Sequence, residues 1–379
     1  MKIGVITFWW CYENYGQILQ IYAYQRYLKK LGHKGFLIRY MASSHFSTSI
    51  GEFLLRIIKN PKAFFNGLLN RFRGVTKARM QRRIKITPLR DFEGFRNKYL
   101  QMTPKVYRNY KELAEDEIEA DAYSVGSDVV WGNFPFSDDG RPMFLDFGNE
   151  SAKRFAYSAS FGADNVNDAY RKFASPLLRK LDAIGVREHT GVGICDSMGR
   201  SDAVHVIDPV LLLSKLDYLE EFGIKESLRS GVFGYYLNSS NPFPLEEINQ
   251  VFFGEDAKIE IATVYADMGL PENLLVNPTI QDWIRKIAFA QLFVTNSFHG
   301  ASMAIVMHTP FVVMLKHNGK GMDSRLISLL EKFGLQNRIY NGQRSFADIV
   351  ADDINWENVD SILEYERQIA RDFLRKVGV

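Results

Sequence analysis

A histidine followed by a glycine stands directly after an apolar run, in the sequence TNSFHG at positions 295–300. The residues LFVT before it indicate a buried strand, and ASMAIVM after it indicates a helix. His299 is therefore predicted at the carboxyl end of a strand and the start of a helix, where the helix dipole binds anions and lowers imidazole basicity. This position suits proton transfer beside a phosphate or carboxylate. The alternative is a histidine that only completes a turn.

Positive charge is predicted at the same edge of the sheet. The sequence GVREHTG places Arg187 and Glu188 at the end of another strand. A guanidinium there binds carboxylate or phosphate through paired hydrogen bonds, and an Arg–Glu ion pair is the alternative. Lys316 and Arg325 follow the strand PFVVML, where the alternative is a solvated loop and an ordinary first helical turn.

The turn after the first predicted strand has the composition of a ligand-binding loop. In ENYGQILQ, Asn14 tolerates left-handed backbone and Gly16 permits close approach. The helix that begins near Gln17 offers free amide groups to an anion. No G-x-G-x-x-G pattern is present, so a dinucleotide is not indicated. An ordinary capped turn is the alternative.

A further strand end carries an acid and a large aromatic residue. In VGSDVVWG, Asp128 is positioned to orient a sugar hydroxyl or take its proton, and Trp131 to stack on a sugar ring. The alternatives are an aspartate that caps a helix and a tryptophan in the core.

Composition and charge narrow the class of protein. The chain has 379 residues, 46% hydrophobic and 24% charged, which suits a well-packed protein of two domains. A formal net charge of +3 gives no general case for nucleic acid. Cys11 and Cys195 are too few for a disulfide framework, and the histidines lack metal-ligand spacing, so no zinc site is expected. Without a secretory signal or a run of roughly 18 apolar residues, a cytoplasmic protein is expected.

Buried strand patterns alternate with helical patterns along the chain. KIGVITF, the helical repeat QILQIYAYQRYLKKLG and GFLIRY predict a βαβ unit within the first forty residues. The alternation restarts after a loop near residue 214 and ends in a helix over 356–377. We predict an α/β protein with two doubly wound domains, 1–213 and 214–379, and ligands beyond the carboxyl ends of the strands.

One segment departs from this alternation. Residues 53–90 contain no Asp or Glu, whereas Lys and Arg recur with apolar residues between them. The pattern predicts either basic amphipathic helices on an anionic membrane surface or a helical insertion with a solvated basic face. Nucleic acid is disfavoured, because no recognised binding motif accompanies the charge.

Taken together, these segments resemble the polysaccharide pyruvyl transferase family. NYGQILQIYA, GSDVVW, ASFG, VREHTG, DPVLLL and TNSFHGASMAIVMHTPFVV occur in that family's order and spacing. The resemblance implies two Rossmann-like domains in a glycosyltransferase-B-like arrangement. It implies phosphoenolpyruvate as donor and a sugar of a surface or capsular polysaccharide as acceptor, with a pyruvate ketal as product. No metal is implied, and no cofactor besides phosphoenolpyruvate as co-substrate.

The resemblance also implies roles for individual residues. His299 matches the family's His-Gly motif as acid/base, with Asp128 as a second catalytic group, and Arg187 matches the arginine that binds the donor. Family members have an arginine two residues before the histidine, where this chain has Ser297, so Arg325 or Lys316 is the expected substitute. The remaining assignments are to the donor side Asn296, Ser297 and Gly300, and to the acceptor side Asn14, Tyr15, Gln17 and Trp131.

Two other functions stay open at this point. Ser297 suggests a transferase of the same fold with another donor, such as a sugar nucleotide. A non-catalytic saccharide-binding protein is the second alternative. The expected partner is a saccharide acceptor, either free or lipid-linked, and the segment 53–90 suggests peripheral contact with the inner membrane face.

Overall fold

The computed structural model describes residues 1–11, 13–42, 88–132, 134, 136–237, 242–252, 258–264, 270–315 and 323–379. Lys316 and nearly all of the basic segment 53–90 lie outside the described residues, so their predicted roles are not addressed by the fold. No helix within the described ranges is long and apolar enough to cross a membrane.

The first sheet occupies the amino-terminal half of the chain. Its strands in the described residues are β1 (Lys2–Ile6), β2 (Lys34–Leu37), β3 (Ala122–Val125), β4 (Lys153–Ala159), β5 (Ala183–Val186) and β6 (Val204–His205). They pair in parallel in the order β2-β1-β3-β4-β5-β6, so the chain changes direction across the sheet between β1 and β3. The helices are α1 (Tyr15–Lys30), α2 (Phe92–Tyr99), α3 (Tyr110–Ala114), α4 (Asp168–Leu178) and α5 (His189–Asp196).

The second sheet repeats this plan after α6 (Lys215–Glu221). Its described strands are β7 (Val232–Tyr236), β8 (Ile259–Thr263), β9 (Leu292–Thr295), β10 (Phe311–Met314) and β11 (Ile339–Tyr340). They are parallel in the order β11-β10-β9-β7-β8. The helices are α7 (Leu245–Val251), α8 (Ile280–Ala288), α9 (Phe298–Met307), α10 (Ser324–Lys332), α11 (Phe346–Ala351) and α12 (Trp356–Lys376). Two parallel sheets with interleaved helices confirm the predicted doubly wound α/β class.

Tyr15 connects the two domains. Its ring is fully buried and stacks on Trp283 of α8, with 5.2 Å between the ring centroids. Its hydroxyl donates to the backbone oxygen of Pro278 at 2.6 Å. The side chain is therefore part of the interdomain core, and the predicted contact of Tyr15 with the acceptor is wrong.

Arg90 also crosses from the first domain to the second. The sequence pattern placed it in a basic segment with a solvated or membrane-facing charge, but its side chain is fully buried. It donates to the backbone oxygens of Glu13 at 3.0 Å and Thr263 at 2.7 Å. The charge of this last residue of the basic segment therefore faces backbone carbonyl groups of both domains and neither solvent nor a membrane.

The closing helix α12 returns to the first domain. Arg367 donates to the backbone oxygens of Leu211 at 2.9 Å and Leu213 at 2.8 Å. Phe373 packs against Tyr157 of β4. These contacts attach α12 to the first domain.

Candidate functional site

His299 lies where the sequence predicts it, in the first turn of α9 directly after β9. Ser297 caps this helix by accepting a hydrogen bond from the backbone nitrogen of Gly300 at 3.2 Å. A side chain at Gly300 would bring its Cβ within 2.6 Å of Thr295 Oγ1, so this glycine is required by packing. Ser297 and Gly300 thus shape the turn that presents His299, which is a different task from the donor binding predicted for them.

Asn296 fastens two strands of the second sheet together. Its Oδ1 accepts from the backbone nitrogen of Leu237 at 2.7 Å, and its Nδ2 donates to the backbone oxygen of Leu237 at 3.0 Å. The amide is 2% exposed and pairs with the residue that follows β7. Each end of the amide thus has one partner in Leu237, which joins β7 to β9, and the donor contact of Asn296 stays a prediction.

Arg187 follows β5 and its side chain is fully buried. Nη1 donates to Ser127 Oγ at 3.2 Å and lies 3.4 Å from Asp208 Oδ2. The guanidinium also lies over the ring of Phe298, 4.6 Å from its centroid. Within the described part of the chain, Nε and Nη2 have no hydrogen-bond partner. Leaving such donors buried and unpaired costs about 1–3 kcal/mol or more for a charged group, so they point to a ligand.

Asp208 holds this cluster together, and the sequence analysis did not single it out. Its Oδ2 accepts from Ser127 Oγ at 2.6 Å and lies 3.4 Å from His299 Nε2. Burial favours the neutral acid, but His299, Arg187 and Ser127 outweigh it and hold the pKa of Asp208 well below its usual range. Asp208 is the first residue of the motif DPVLLL, where an Asp before Pro is most simply interpreted as a helix cap. Asp208 does cap the short helix Pro209–Leu212, through Oδ1 and the backbone nitrogen of Val210 at 3.0 Å.

Arg325 belongs to the same electrostatic cluster. Burial and the nearby guanidinium of Arg187 lower the pKa of Arg325 to about 10, although Glu188, Asp128 and Asp323 act in the opposite direction. Two guanidinium groups that repel each other in a partly buried space form a site that an anion stabilises. The sequence analysis named Arg325 as a substitute for the missing arginine, and the fold brings it to Arg187.

Glu188 is engaged with the turn after β4 more closely than with Arg187. Its Oε1 accepts from Ser160 Oγ at 2.7 Å and from the backbone nitrogen of Phe161 at 3.0 Å. The closest approach of Glu188 Oε2 to Arg187 Nε is 3.9 Å. The ion pair that was the alternative interpretation is therefore present, at a longer distance than the hydrogen bonds of Glu188 Oε1.

Asp128 has an unusual backbone conformation at the end of β3. Its φ angle is +89°, in the region that favours glycine. Non-glycine residues there cost about 1–3 kcal/mol and cluster at functional sites. Oδ1 accepts from the backbone nitrogen of Val129 at 2.8 Å, and Oδ2 accepts from Gln17 Nε2 at 3.3 Å. The fold thus joins Asp128 and Gln17, both named by the sequence analysis, at the direction change between β1 and β3.

The first turn of α1 contacts the histidine directly. A Cβ at Gly16 would lie 2.4 Å from His299 Cγ and Nδ1, so the ring occupies space that only a glycine leaves open. Asn14 caps α1 by accepting from the backbone nitrogen of Gly16 at 3.1 Å. The close approach predicted for Gly16 is therefore present, and the group that contacts this glycine is the imidazole of His299.

Trp131 lies in the core of the first domain. Its indole is fully buried, donates through Nε1 to the backbone oxygen of Met143 at 2.8 Å, and stacks on Phe144 with 5.6 Å between ring centroids. It offers no face to a sugar ring, so the predicted acceptor contact is wrong and the core interpretation holds.

The arrangement can bind a small polyanion and move a proton beside it. Arg187 and Arg325 supply positive charge, while His299 and Asp128 supply groups that gain or lose a proton. Among the described residues, no group of three or more His, Cys, Asp or Glu side chains is arranged to hold a metal ion.

The family model described as "Polysaccharide pyruvyl transferase" matches residues 14–318 of the chain. That span contains Asn14, Asp128, Arg187, Asp208 and His299. A search of curated proteins finds no match.

Solved structures show similarity at low sequence identity. UDP-N-acetylglucosamine 2-epimerase from Rickettsia bellii aligns with a TM-score of 0.48 and 8% identity over 100% of this chain and 96% of that chain. UDP-GlcNAc 2-epimerase from Neisseria meningitidis aligns with a TM-score of 0.45 and 9% identity over 98% and 94% of the two chains. A spinosyn rhamnosyltransferase aligns with a TM-score of 0.45 and 11% identity over 100% and 99%.

Proposed function

The chain belongs to the polysaccharide pyruvyl transferase family, and we propose that it transfers the pyruvyl group of phosphoenolpyruvate to a sugar of a surface polysaccharide or of its lipid-linked precursor, as a ketal. The observation that carries the proposal is the buried guanidinium of Arg187, whose Nε and Nη2 lack a hydrogen-bond partner among the described residues. A carboxylate or phosphate group supplies the missing acceptors in the paired geometry that a guanidinium prefers.

The reaction moves three protons, and these movements balance. A proton adds to the methylene carbon of the donor, and a sugar hydroxyl attacks the resulting oxocarbenium-like carbon and loses its proton. Phosphate then leaves with the electrons of the carbon–oxygen bond, and a second hydroxyl closes the ketal ring. The two hydroxyls release two protons. One replaces the proton that was added to the methylene carbon, and the other is taken up by the released phosphate.

Each of the two arginines binds one of the two anionic groups of the donor. Phosphoenolpyruvate carries a carboxylate and a phosphate, and each needs a cation in a site that excludes water. Arg187 binds one group. Arg325, which approaches from the second domain, binds the other and takes the place of the family arginine that is Ser297 here. Burial and the nearby Arg187 guanidinium lower the pKa of Arg325 to about 10, and a bound anion would offset both effects, which supports this role.

His299 and Asp128 carry the protons. His299 stands beside the anion site and protonates the methylene carbon of the donor. Asp128, half-buried after the carboxyl end of β3, accepts the proton of the attacking hydroxyl. Gln17 orients that carboxylate through the contact at 3.3 Å. Asn14 remains at the rim of the site on the acceptor side.

Phosphate release from phosphoenolpyruvate in the presence of saccharide acceptors tests the proposal. We expect acceptor-dependent release by the wild-type protein and a loss of about 10²-fold or more in His299→Ala, the contribution typical of a general acid. Full release by His299→Ala, or none by the wild type across a broad acceptor set, would contradict the assignment.

Because Ser297 replaces the family arginine, a sugar nucleotide is tested as an alternative donor. In thermal unfolding with candidate ligands, the proposal predicts stabilisation by phosphoenolpyruvate. Stabilisation by a nucleoside diphosphate and none by phosphoenolpyruvate would identify a sugar-nucleotide transferase instead. No stabilisation by either anion, with binding of saccharide alone, would identify a saccharide-binding protein.

We also propose peripheral contact of the basic segment with anionic membrane, where a lipid-linked acceptor would be met. The support is the sequence pattern of residues 53–89, since Arg90 is buried. Cosedimentation with vesicles tests it: binding to anionic vesicles that weakens with salt is expected, and equal partitioning to neutral vesicles removes the electrostatic contribution.

A further inference from the structure

We propose that Phe134, Phe136 and Phe173 form an aromatic platform on which one sugar of an extended saccharide acceptor stacks, at a distance from the sugar that reacts. This inference deepens the proposed function and rests on it for the saccharide class of the ligand. It assigns to the platform the stacking role that the sequence suggested for Trp131, which the fold places in the core.

The aromatic platform lies on the exposed side of α4. The ring of Phe136 is nearly parallel to that of Phe173, at an angle of 23° with 5.9 Å between the ring centroids. It meets the rings of Phe134 and Tyr170 at the steeper angles of 55° and 87°. Phe136 thus rests on Phe173 and still keeps 52% of its surface exposed. Phe134 and Phe173 are half-buried beside it.

The loop that carries the platform begins at Asp128, the proposed base. The backbone nitrogen of Trp131 donates to the backbone oxygen of Ser160, after the end of β4, at 3.1 Å. The backbone oxygen of Trp131 accepts from the hydroxyl of Tyr170, in the first turn of α4, at 2.7 Å. Two rings of the platform lie 5.4 and 5.8 Å from the Tyr170 ring. The platform is therefore near the carboxyl edge of the first sheet, which Asp128 shares and where ligands of such folds bind.

The platform is too far along α4 to hold the reacting sugar itself. This helix follows β4 and leads away from the carboxyl edge. Phe173 is six residues after the N-cap Asn167, about 9 Å along the helix axis. A sugar stacked on Phe136 is therefore a different unit of the chain from the one whose hydroxyl meets Asp128. An acceptor that reaches both positions must contain more than one sugar.

The chemistry of the platform suits a sugar ring. A pyranose presents a face of C–H groups, which packs on an aromatic ring, and hydroxyl groups around its rim. Ser137 and Asp138 directly follow Phe136 and are exposed. The carboxylate of Asp138 lies 3.3 Å from Arg141, yet its side chain is 74% exposed. A hydroxyl and a carboxylate beside the ring can bond the hydroxyl groups of a stacked sugar.

Charge disfavours an anionic membrane as the occupant of the platform. Residues 132–140, GNFPFSDDG, contain two aspartates and no Lys or Arg. On α4, Lys172 is exposed, whereas Arg171 donates to the backbone oxygen of Ser197. Binding to anionic lipid requires clusters of basic residues, which this surface lacks among the described residues.

Area disfavours a second copy of the chain as the occupant. An aromatic side chain offers about 150–250 Å², so the exposed half of Phe136 amounts to about 100 Å². A stable protein interface buries about 800 Å² on each partner. The open surface of the platform therefore matches one ring of a small ligand better than a protein partner.

Calorimetric titration of neutral oligosaccharides into the full-length protein, without phosphoenolpyruvate, tests the platform. The probes are hexasaccharides of glucose, mannose and galactose, because stacking on C–H groups is common to these sugars. We expect saturable binding of at least one probe and a Kd about 10-fold higher in Phe136→Ala. Phe136→Tyr keeps the ring and should bind the probe as the wild type does.

Leu228→Ala is the matched control for loss of an exposed apolar side chain. Leu228 is 92% exposed and precedes β7, so it lies at the amino edge of the second sheet, and its loss should not change the Kd. Equal affinities of the wild type and Phe136→Ala, a similar loss in Leu228→Ala, or no binding of any probe by the wild type overturns the proposal. Weaker cosedimentation of Phe136→Ala with phosphatidylcholine vesicles, at unchanged probe affinity, would assign the rings to a membrane instead.

Failure of the platform and failure of the proposed function are distinguishable. Probe binding is measured without a donor, so binding that depends on Phe136 in a protein that releases no phosphate from phosphoenolpyruvate would remove the donor and keep the platform. Acceptor-dependent phosphate release with the same acceptor KM in the wild type and Phe136→Ala would keep the function and remove the platform. If both hold, Phe136→Ala raises KM for a long acceptor and leaves kcat unchanged, since the ring does not touch the reacting atoms.

Discussion

Two turns at the carboxyl edges of the sheets have similar sequence character and opposite hydrogen-bonding states. After β9, the amide of Asn296 has a partner for each of its ends in Leu237. After β5, Arg187 is equally buried, yet Nε and Nη2 lack partners within the described residues. Both residues are polar side chains at strand ends in Rossmann-like domains. The difference teaches that Arg187 keeps buried donors for which a ligand would supply acceptors, whereas Asn296 uses both ends of its amide to join two strands.

The comparison predicts its largest contrast between Arg187→Met and Asn296→Ala. Arg187→Met removes a buried cation aimed at the donor, and we expect kcat/KM for phosphoenolpyruvate to fall by about 10³-fold, as when a preorganised donor is removed from an active site. Asn296→Ala should instead lower the free energy of unfolding by about 1–3 kcal/mol, since it leaves the backbone groups of Leu237 unpaired.

Steady-state kinetics and urea unfolding on both variants measure this contrast. The comparison breaks if Asn296→Ala weakens phosphoenolpyruvate binding as strongly as Arg187→Met does.

Gly16→Ala gives the next largest effect. The added Cβ would meet the His299 ring at 2.4 Å, so the imidazole must move. A displacement of about 1 Å can cost about 10²-fold in rate, although alanine gains up to about 1 kcal/mol of helix propensity over glycine. Gly193→Ala in α5 is the matched control, because nothing lies within 4 Å of its Cβ position. Unchanged kcat in Gly16→Ala would show that the ring position does not matter.

Tyr15→Phe distinguishes a structural role of Tyr15 between the domains from contact with the saccharide acceptor. The variant keeps the ring stack with Trp283 and loses the hydrogen bond to the Pro278 backbone oxygen. We expect the free energy of unfolding to fall by about 1 kcal/mol and KM for the saccharide acceptor to stay unchanged. A raised acceptor KM at unchanged stability would restore the sequence-based assignment of Tyr15.

The smallest expected effect concerns His205, the last residue of β6. His205 Nε2 lies 2.9 Å from the backbone oxygen of Arg187, and burial and the Lys332 ammonium lower the pKa of His205 to about 4. Between pH 6.5, the ordinary pKa, and pH 4 the unfolded chain takes up a proton that the folded protein does not. Stability from His205 is therefore present above pH 6.5 and lost as pH falls to 4.

Urea unfolding at pH 7 and pH 5 checks this sign. His205→Gln, which keeps a hydrogen-bond donor, should lose less stability over that interval than the wild type. An identical loss in both proteins would remove His205 from the account.

The sequence analysis located the site better than it assigned the residues within it. Alternating strand and helix patterns predicted both sheets, because parallel strands buried on two faces leave continuous apolar runs. The carboxyl-end rule then placed His299, Arg187 and Asp128 at one cleft. Arg325 was predicted only as one of two cations that could substitute for the family arginine. The sequence of a helix that follows a loop does not show in which direction its charged side chain points.

The wrong assignments share a physical reason. The functions of Trp131 and Tyr15 depend on which way the side chain turns, and a strand-end position does not determine that. Trp131 enters the core because Met143 supplies an acceptor for its indole nitrogen. Asp208 was missed because an Asp before Pro has the sequence signal of a helix cap, and that signal does not show that its carboxylate also lies beside Arg187 and His299.

Calorimetric titration of phosphoenolpyruvate into the wild-type protein and Arg187→Met tests the central claim most directly. The account predicts saturable binding by the wild type and a Kd at least about 10²-fold higher in the variant, since the unfilled guanidinium contacts are the donor site. Equal affinities in the two proteins, or no binding by a folded wild type that does bind a nucleoside diphosphate, would contradict it.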